Sequence, residues 1–183
     1  IGGENGMKMG KRCPEYVVNP SDMVRDYGAD TLRLYELFMG PLEVSKPWND
    51  NNVQGAKRFI TRVWNFFTEP ENITEENDGK LTRVYHQTVK KVTNDFEALG
   101  YNTAISQMMI FVNEVYKVGS CPREYAEGLI KMLSPICPHV GEDIWEKMGH
   151  QDTIAFEPWP TYEEALTACN TVEIAVQING KTR

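Results

Sequence analysis

Between residues 53 and 148, apolar side chains return at helical spacing in four successive runs, each followed within a few residues by glycine or proline. Val53, Ala56, Ile60, Val63, Trp64 and Phe67 share one face, with Lys57, Arg58 and Arg62 on or beside the opposite one. An acidic stretch from Glu69 to Gly79 reads as a loop. From Leu81, a second stripe runs through Tyr85, Val89, Val92, Phe96 and Leu99, closed by Gly100. Asn102 or Thr103 is placed to cap a third helix, whose Ile105, Met108, Met109, Val112, Val115 and Tyr116 form a broad apolar face before Gly119. Pro122 suits the first turn of the fourth, with Tyr125, Ala126, Leu129, Ile130 and Leu133 inward. That helix breaks near Pro135 and Pro138 and resumes with Val140, Ile144, Trp145 and Met148 before Gly149. Stripes of this width must be covered, and with connections this short an antiparallel helical bundle is the natural solution.

What flanks the bundle differs in kind. Residues 1–20 are rich in Gly and Pro, with scattered cations, and read as a mobile loop. Asn19 or Ser21 then caps a short helix that Gly28 stops, and a second short helix runs from Asp30 to Met39 before Gly40-Pro41. Residues 150–170 read as a surface-wrapping segment anchored by Phe156, Trp159 and Tyr162. Beyond it Val172, Ile174, Val176 and Ile178 alternate with Glu173, Ala175, Gln177 and Asn179, which is strand periodicity ending in an Asn179-Gly180 turn signal. The expected organisation is mainly α: residues 1–48 a loop and two short helices, 49–150 the bundle, and 151–183 the wrapping segment and the first strand of a further domain. Both ends read as cut.

The net charge of −7 argues against a polycationic clamp on nucleic acid, though not against a local basic stripe. No run of residues is long and apolar enough for a membrane span, and the first residues lack the apolar centre of a signal peptide, so a cytoplasmic location is expected. Cys13, Cys121, Cys137 and Cys169 show no paired spacing and read as reduced thiols. Cys137 and His139 offer at most two metal ligands, and a core cysteine beside a hydrogen-bonded histidine is the simpler reading; no metal site is expected. The one phosphate-handling constellation is Lys8-Met9-Gly10-Lys11-Arg12, three cations on a glycine-containing loop. Lysines on such a loop can meet charge developing on a phosphate leaving group. By themselves they are a weak signal, and solvated loop charges are the simpler reading.

Lys8-Met9-Gly10-Lys11-Arg12 resembles the Lys-Met-Ser-Lys-Ser signature of class I aminoacyl-tRNA synthetases, with Gly10 and Arg12 in place of the two serines. Val17-Val18-Asn19-Pro20-Ser21-Asp22 and Tyr27-Gly28-Ala29-Asp30-Thr31-Leu32-Arg33 match the stretch that follows that signature. Phe38-Met39-Gly40-Pro41-Leu42-Glu43, Ser45-Lys46-Pro47-Trp48, Arg58-Phe59 to Val63-Trp64, Pro138-His139 to Glu142-Asp143-Ile144-Trp145, and Val176-Gln177-Ile178-Asn179-Gly180-Lys181 are similar to bacterial-type leucyl-tRNA synthetases. The resemblance covers nearly the whole chain. It implies a signature loop with Lys11 on ATP phosphates and Lys8 in support, two stem-contact helices, and a bundle of the anticodon-binding type. It implies further that the bundle touches the body of leucine tRNA, for which Lys57, Arg58 and Arg62 are the first candidates and Lys90 and Lys91 the second. A salt-bridged role for Arg58 and Arg62 stays open beside that one. ATP with Mg²⁺ and leucine would be handled by the intact, monomeric enzyme, a leucine-tRNA ligase; these residues alone would bind no cofactor and activate no leucine. A free-standing helical interaction module, and the equivalent part of a valyl or isoleucyl synthetase, are the alternatives.

Overall fold

The computed structural model describes residues 2–3, 9–10, 14 and 17–168, together with the backbone of Gln177–Ile178 and Lys181–Thr182. Two short helices, α1 (Pro20–Tyr27) and α2 (Ala29–Phe38), lead into α3 (Asp50–Phe67), α4 (Thr82–Glu97), α5 (Tyr101–Val118), α6 (Arg123–Leu133) and α7 (Pro138–Lys147), and a single turn, α8 (Glu164–Thr167), follows. Asn19 caps α1, its side-chain oxygen accepting the Ser21 amide at 3.0 Å. Gly28, at φ 92°, ends α1 and opens α2 in one residue, a conformation that costs glycine nothing.

The apolar stripes meet as their spacing requires. Val53, Val63, Val89, Val92, Ile105, Met108, Val112, Leu129, Leu133 and Ile144 are all buried in one continuous core. The mainly α, bundle-type fold read from the sequence is the observed one. Between α3 and α4 the loop is more ordered than expected: strand β1 (Ile73–Thr74) pairs in parallel with β2 (Cys121–Pro122), tying the α3–α4 and α5–α6 connections together. Gly2, assigned to the mobile loop, is instead buried and bonded to Lys46 and Trp48 through the backbone. The expected terminal strand falls largely outside the described residues, but β3 (Gln177–Ile178) and β4 (Lys181–Thr182) pair antiparallel with Ile178 opposite Lys181, the register of a two-residue hairpin.

Helix ends account for most departures. The left-handed residue closing α4 is Leu99 rather than Gly100, with φ 59°. The Gly100 amide donates back to the Asp95 carbonyl at 2.6 Å, the six-to-one bond of a Schellman end, and this places the positive φ one residue earlier. Leu99 is consequently 59% exposed, not buried. Neither Asn102 nor Thr103 caps α5; the Thr103 hydroxyl donates to the Gly100 carbonyl at 2.9 Å and supports the preceding turn instead. Trp64 is only part-buried, because it lies at the edge of the α3 stripe, where the Lys147 ammonium sits 5.5 Å from its ring centroid.

The wrapping segment is anchored differently from the expectation. Phe156 is 90% exposed, and Ile154 is the residue that goes into the core. The reason is Glu142 on α7: one oxygen accepts the Ile154 amide at 3.1 Å and the other the Thr153 hydroxyl, fixing a 3₁₀ turn that points Ile154 inward and Phe156 out. Trp159 does anchor, donating to the Thr93 hydroxyl at 2.8 Å and packing 5.3 Å from Phe96. Tyr162 packs part-buried against the core.

Residues 17–48 are fastened to the bundle chiefly by α2. Asp30 is buried, and its carboxylate accepts the Val140 amide at 2.7 Å and faces His139 Nδ1 at 2.8 Å, so it caps the N-terminus of α7 from another helix. One turn along α2, Arg33 donates at 2.9 Å to each of the Pro135 and Ile136 carbonyls. Cys137, which joins these groups, is buried and packs 3.8 Å from the Asp30 carbonyl. Gly141 admits this close elbow: a Cβ there would lie 2.7 Å from that of Ser134 and 3.0 Å from its Cα.

Two outcomes follow. Asp30→Ala leaves the α7 terminus and His139 unpartnered and should cost about 2–3 kcal/mol of stability in urea denaturation, with Asp30→Asn recovering part of it because an amide oxygen still accepts from Val140. Leu99→Gly removes the left-handed penalty at an exposed position and should raise stability by about 0.5–1 kcal/mol, read as a rise of roughly 2 °C in melting temperature.

Candidate nucleic-acid interface

Helix α3 is capped by Asn49, whose side chain accepts the Asn51 amide at 2.9 Å. Its one acid, Asp50, is engaged by Trp48 Nε1 at 2.7 Å. From residue 51 to residue 68 the sequence holds no carboxylate. The buried stripe of α3 fixes its rotation, so Asn51, Asn52, Gln54, Lys57, Arg58, Thr61 and Asn65 are left exposed on the other side. An acidic chain thus presents one helix face made of amides, hydroxyls and cations.

The cations of this face bond only to neutral groups. Lys57 Nζ donates to the Tyr27 carbonyl at the end of α1, at 3.2 Å. Arg62 donates to the Asn113 side chain at 2.9 Å and lies 4.6 Å from the Tyr116 ring centroid. Arg58 has no hydrogen bond or ion pair to any described residue. Two further cations, not evident from sequence spacing, are brought alongside by tertiary structure: Lys46, which donates to the Gly40 carbonyl at 2.6 Å, and Lys147 over Trp64. Lys147 lies 83 positions from Trp64, and only the α3–α7 packing joins them.

Elsewhere among the described residues, cations are mostly paired with acids. Lys90 reaches Glu164 at 2.5 Å, Lys91 reaches Asp95 at 2.6 Å, and Lys80, Lys117, Arg123 and Lys131 each meet a carboxylate as well. Glu164 holds the exposed Lys90 ammonium above its ordinary pKa, first through their hydrogen bond. Lys90 and Lys91 therefore stand apart from the α3 set, on the side of α4 that meets α8 and on the solvent edge of α4. Lys8 and Lys11 lie outside the described residues.

Two clefts of contrasting sign flank these surfaces. One, about 610 Å³ in volume, opens between the end of α2, the 45–47 connector and the start of α3, with Lys46 and Arg58 on its rim and no carboxylate in its lining. The other lies along α7 and is lined by Glu142, Asp143, Glu146 and Asp152, a surface that repels phosphate. Among the described residues no group of three His, Cys, Asp or Glu side chains is arranged to hold a metal. Burial pushes the Cys121 thiol up to about 12 and raises Cys137 as well, so neither is a thiolate at neutral pH.

The sequence model for the anticodon-binding domain of tRNA ligase matches residues 78–183. Among solved structures, the LeuRS of a ternary complex with tRNA and LeuAMS, agnB2 from Agrobacterium radiobacter K84, superimposes with a TM-score of 0.79 at 29% sequence identity. The match covers 98% of the present chain and 25% of that one, so the chain spans about a quarter of its length. With more than half of its residues matched by the family model, the chain belongs to the anticodon-binding domain family of tRNA ligases.

Proposed function

We propose that this chain docks the body of leucine tRNA for a leucine-tRNA ligase, with the exposed face of α3 as the contact surface. The observation that carries the reading is electrostatic. Lys57, Arg58 and Arg62, with Lys46 and Lys147 beside them, border a helix without a carboxylate from residue 51 to 68, in a chain whose net charge is −7. A cation held by a carbonyl, an amide or an aromatic ring keeps its full charge for a phosphate; one held by a carboxylate must first give that partner up. The likeness to a LeuRS solved with tRNA supports the leucine assignment and the RNA partner.

A few phosphate contacts on one face, supplemented by ribose contacts from Asn51, Asn52 and Gln54, suit recognition of RNA by shape. In this reading Lys8 and Lys11 belong to the parent enzyme's ATP site. ATP, carried with Mg²⁺, is the substrate there, and the Lys11 ammonium stabilises charge on the phosphates as the leucyl adenylate forms. The parent acts as a monomer, and the 183 residues by themselves dock RNA without activating leucine.

Titration of the 183-residue chain with leucine tRNA at several salt concentrations tests the docking surface. The logarithm of the association constant should fall with the logarithm of salt with a slope of about −3, for roughly four phosphates contacted. Arg58→Ala should reduce that slope by about 1, while Lys90→Ala leaves it unchanged. Salt-independent binding, or equal effects of the two substitutions, would remove α3 from the interface. In the intact enzyme, Lys11→Ala should slow leucine-dependent pyrophosphate exchange by roughly 10²–10³-fold, the usual loss of one preorganised charge-stabilising group.

A further inference from the structure

The cleft beside Arg58 contains more than phosphate docking requires. Its floor is apolar: Phe38 and Met39 at the end of α2 and Met109 of α5 are part-exposed there while packing against the core. Its rim carries Asn51 and Asn52, whose side-chain amides bond to no described residue, and between them and Arg58 comes Gly55. A Cβ on Gly55 would meet only the Arg58 guanidinium, at 3.8 Å, so no packing demand explains a glycine in this helical position. Glycine in a helix interior costs about 1 kcal/mol relative to alanine. The space it leaves open is continuous with the cationic face.

A paired RNA strand lying across α3 would offer phosphates and riboses, for which an apolar floor is of no use. An unpaired nucleotide matches every group present. The face of its base packs on the thioether and aromatic surfaces, its edge both donates to and accepts from amides, and its phosphate meets a guanidinium. The volume of about 610 Å³ is ample for a single nucleotide, and the lining contains no carboxylate to repel one. We propose that this cleft receives one unpaired, everted nucleotide of the RNA held on α3, a proposal that rests on the docking reading above and adds to it a specificity for RNA with an unstacked base.

Two RNA hairpins of identical stem, one fully paired and one with a single bulged adenosine, separate the two levels of the claim when titrated by fluorescence anisotropy at fixed salt. The bulged hairpin should bind the wild-type chain about tenfold more tightly, the equivalent of one stacked base. Gly55→Leu should abolish that preference, leaving the paired hairpin within about twofold of its original affinity and the melting temperature no lower, because leucine fills the cleft and favours the helix. Asn52→Ala, at an exposed position, should reduce the preference several-fold and decides the matter if the leucine variant folds poorly. Equal affinity of the two hairpins for the wild type, or a preference that survives both substitutions, overturns the nucleotide cleft while leaving the α3 docking surface intact. Failure of both hairpins to bind overturns both.

Discussion

A buried carboxylate at the start of α7 holds the two parts of this structure in fixed relation. Asp30 and Arg33, one turn apart on α2, address opposite ends of the elbow between α6 and α7: the acid takes up the free amide at a helix N-terminus, and the guanidinium takes up carbonyls that follow a helix C-terminus. Each charge is placed where the helix dipoles favour it, and each satisfies backbone groups that the Pro135–Pro138 break leaves without helical partners. The elbow is tight because Gly141 passes Ser134 with no room for a side chain. With α2 fastened there, α1 comes to lie against α3 close enough for Lys57 to reach its final carbonyl, and the connector from Gly40 to Trp48 closes one wall of the cleft beside Arg58.

The proposed RNA surface depends on this arrangement more than on charge content. Acids outnumber bases in the chain, and away from α3 most of the described lysines and arginines have a carboxylate at hand. On α3 beyond Asp50 the acids are missing, and the neighbours supplied by α1, α5 and the Gly40 turn are carbonyls, an amide and an aromatic ring. These partners orient the cations without neutralising them. A negative protein overall combined with one such face gives an orientation preference toward a polyanion, because the remaining surface repels it.

How much of this the sequence disclosed follows from the range of the interactions. The core stripes were readable because burial imposes helical spacing on residues close in sequence, and Lys57, Arg58 and Arg62 were readable as a group because one helix carries them. Lys147 and Lys46 were not, since packing between distant elements brings them to α3. Leu99 departs because the hydrogen-bond pattern of the helix end, which composition does not encode, shifted the left-handed position by one residue. Phe156 departs because Glu142, on another helix, selects which side of a short turn faces inward. In the same way, the pairing of Cys137 and His139 around Asp30 was half visible: a hydrogen-bonded histidine beside a core cysteine was expected, and the acid that unites them, over a hundred positions earlier, was not.

If leucine tRNA covers the acid-free face of α3, as proposed, lysine footprinting reads it directly. The chain is acetylated briefly with and without leucine tRNA, and modification at each lysine is quantified by peptide mass spectrometry. Bound tRNA should shield Lys57, with Lys46 and Lys147 beside it, several-fold from reagent, while Lys80, Lys90 and Lys117 react at unchanged rates. Equal reactivity of Lys57 in both conditions, or protection centred on Lys90 and Lys91 instead, would contradict it.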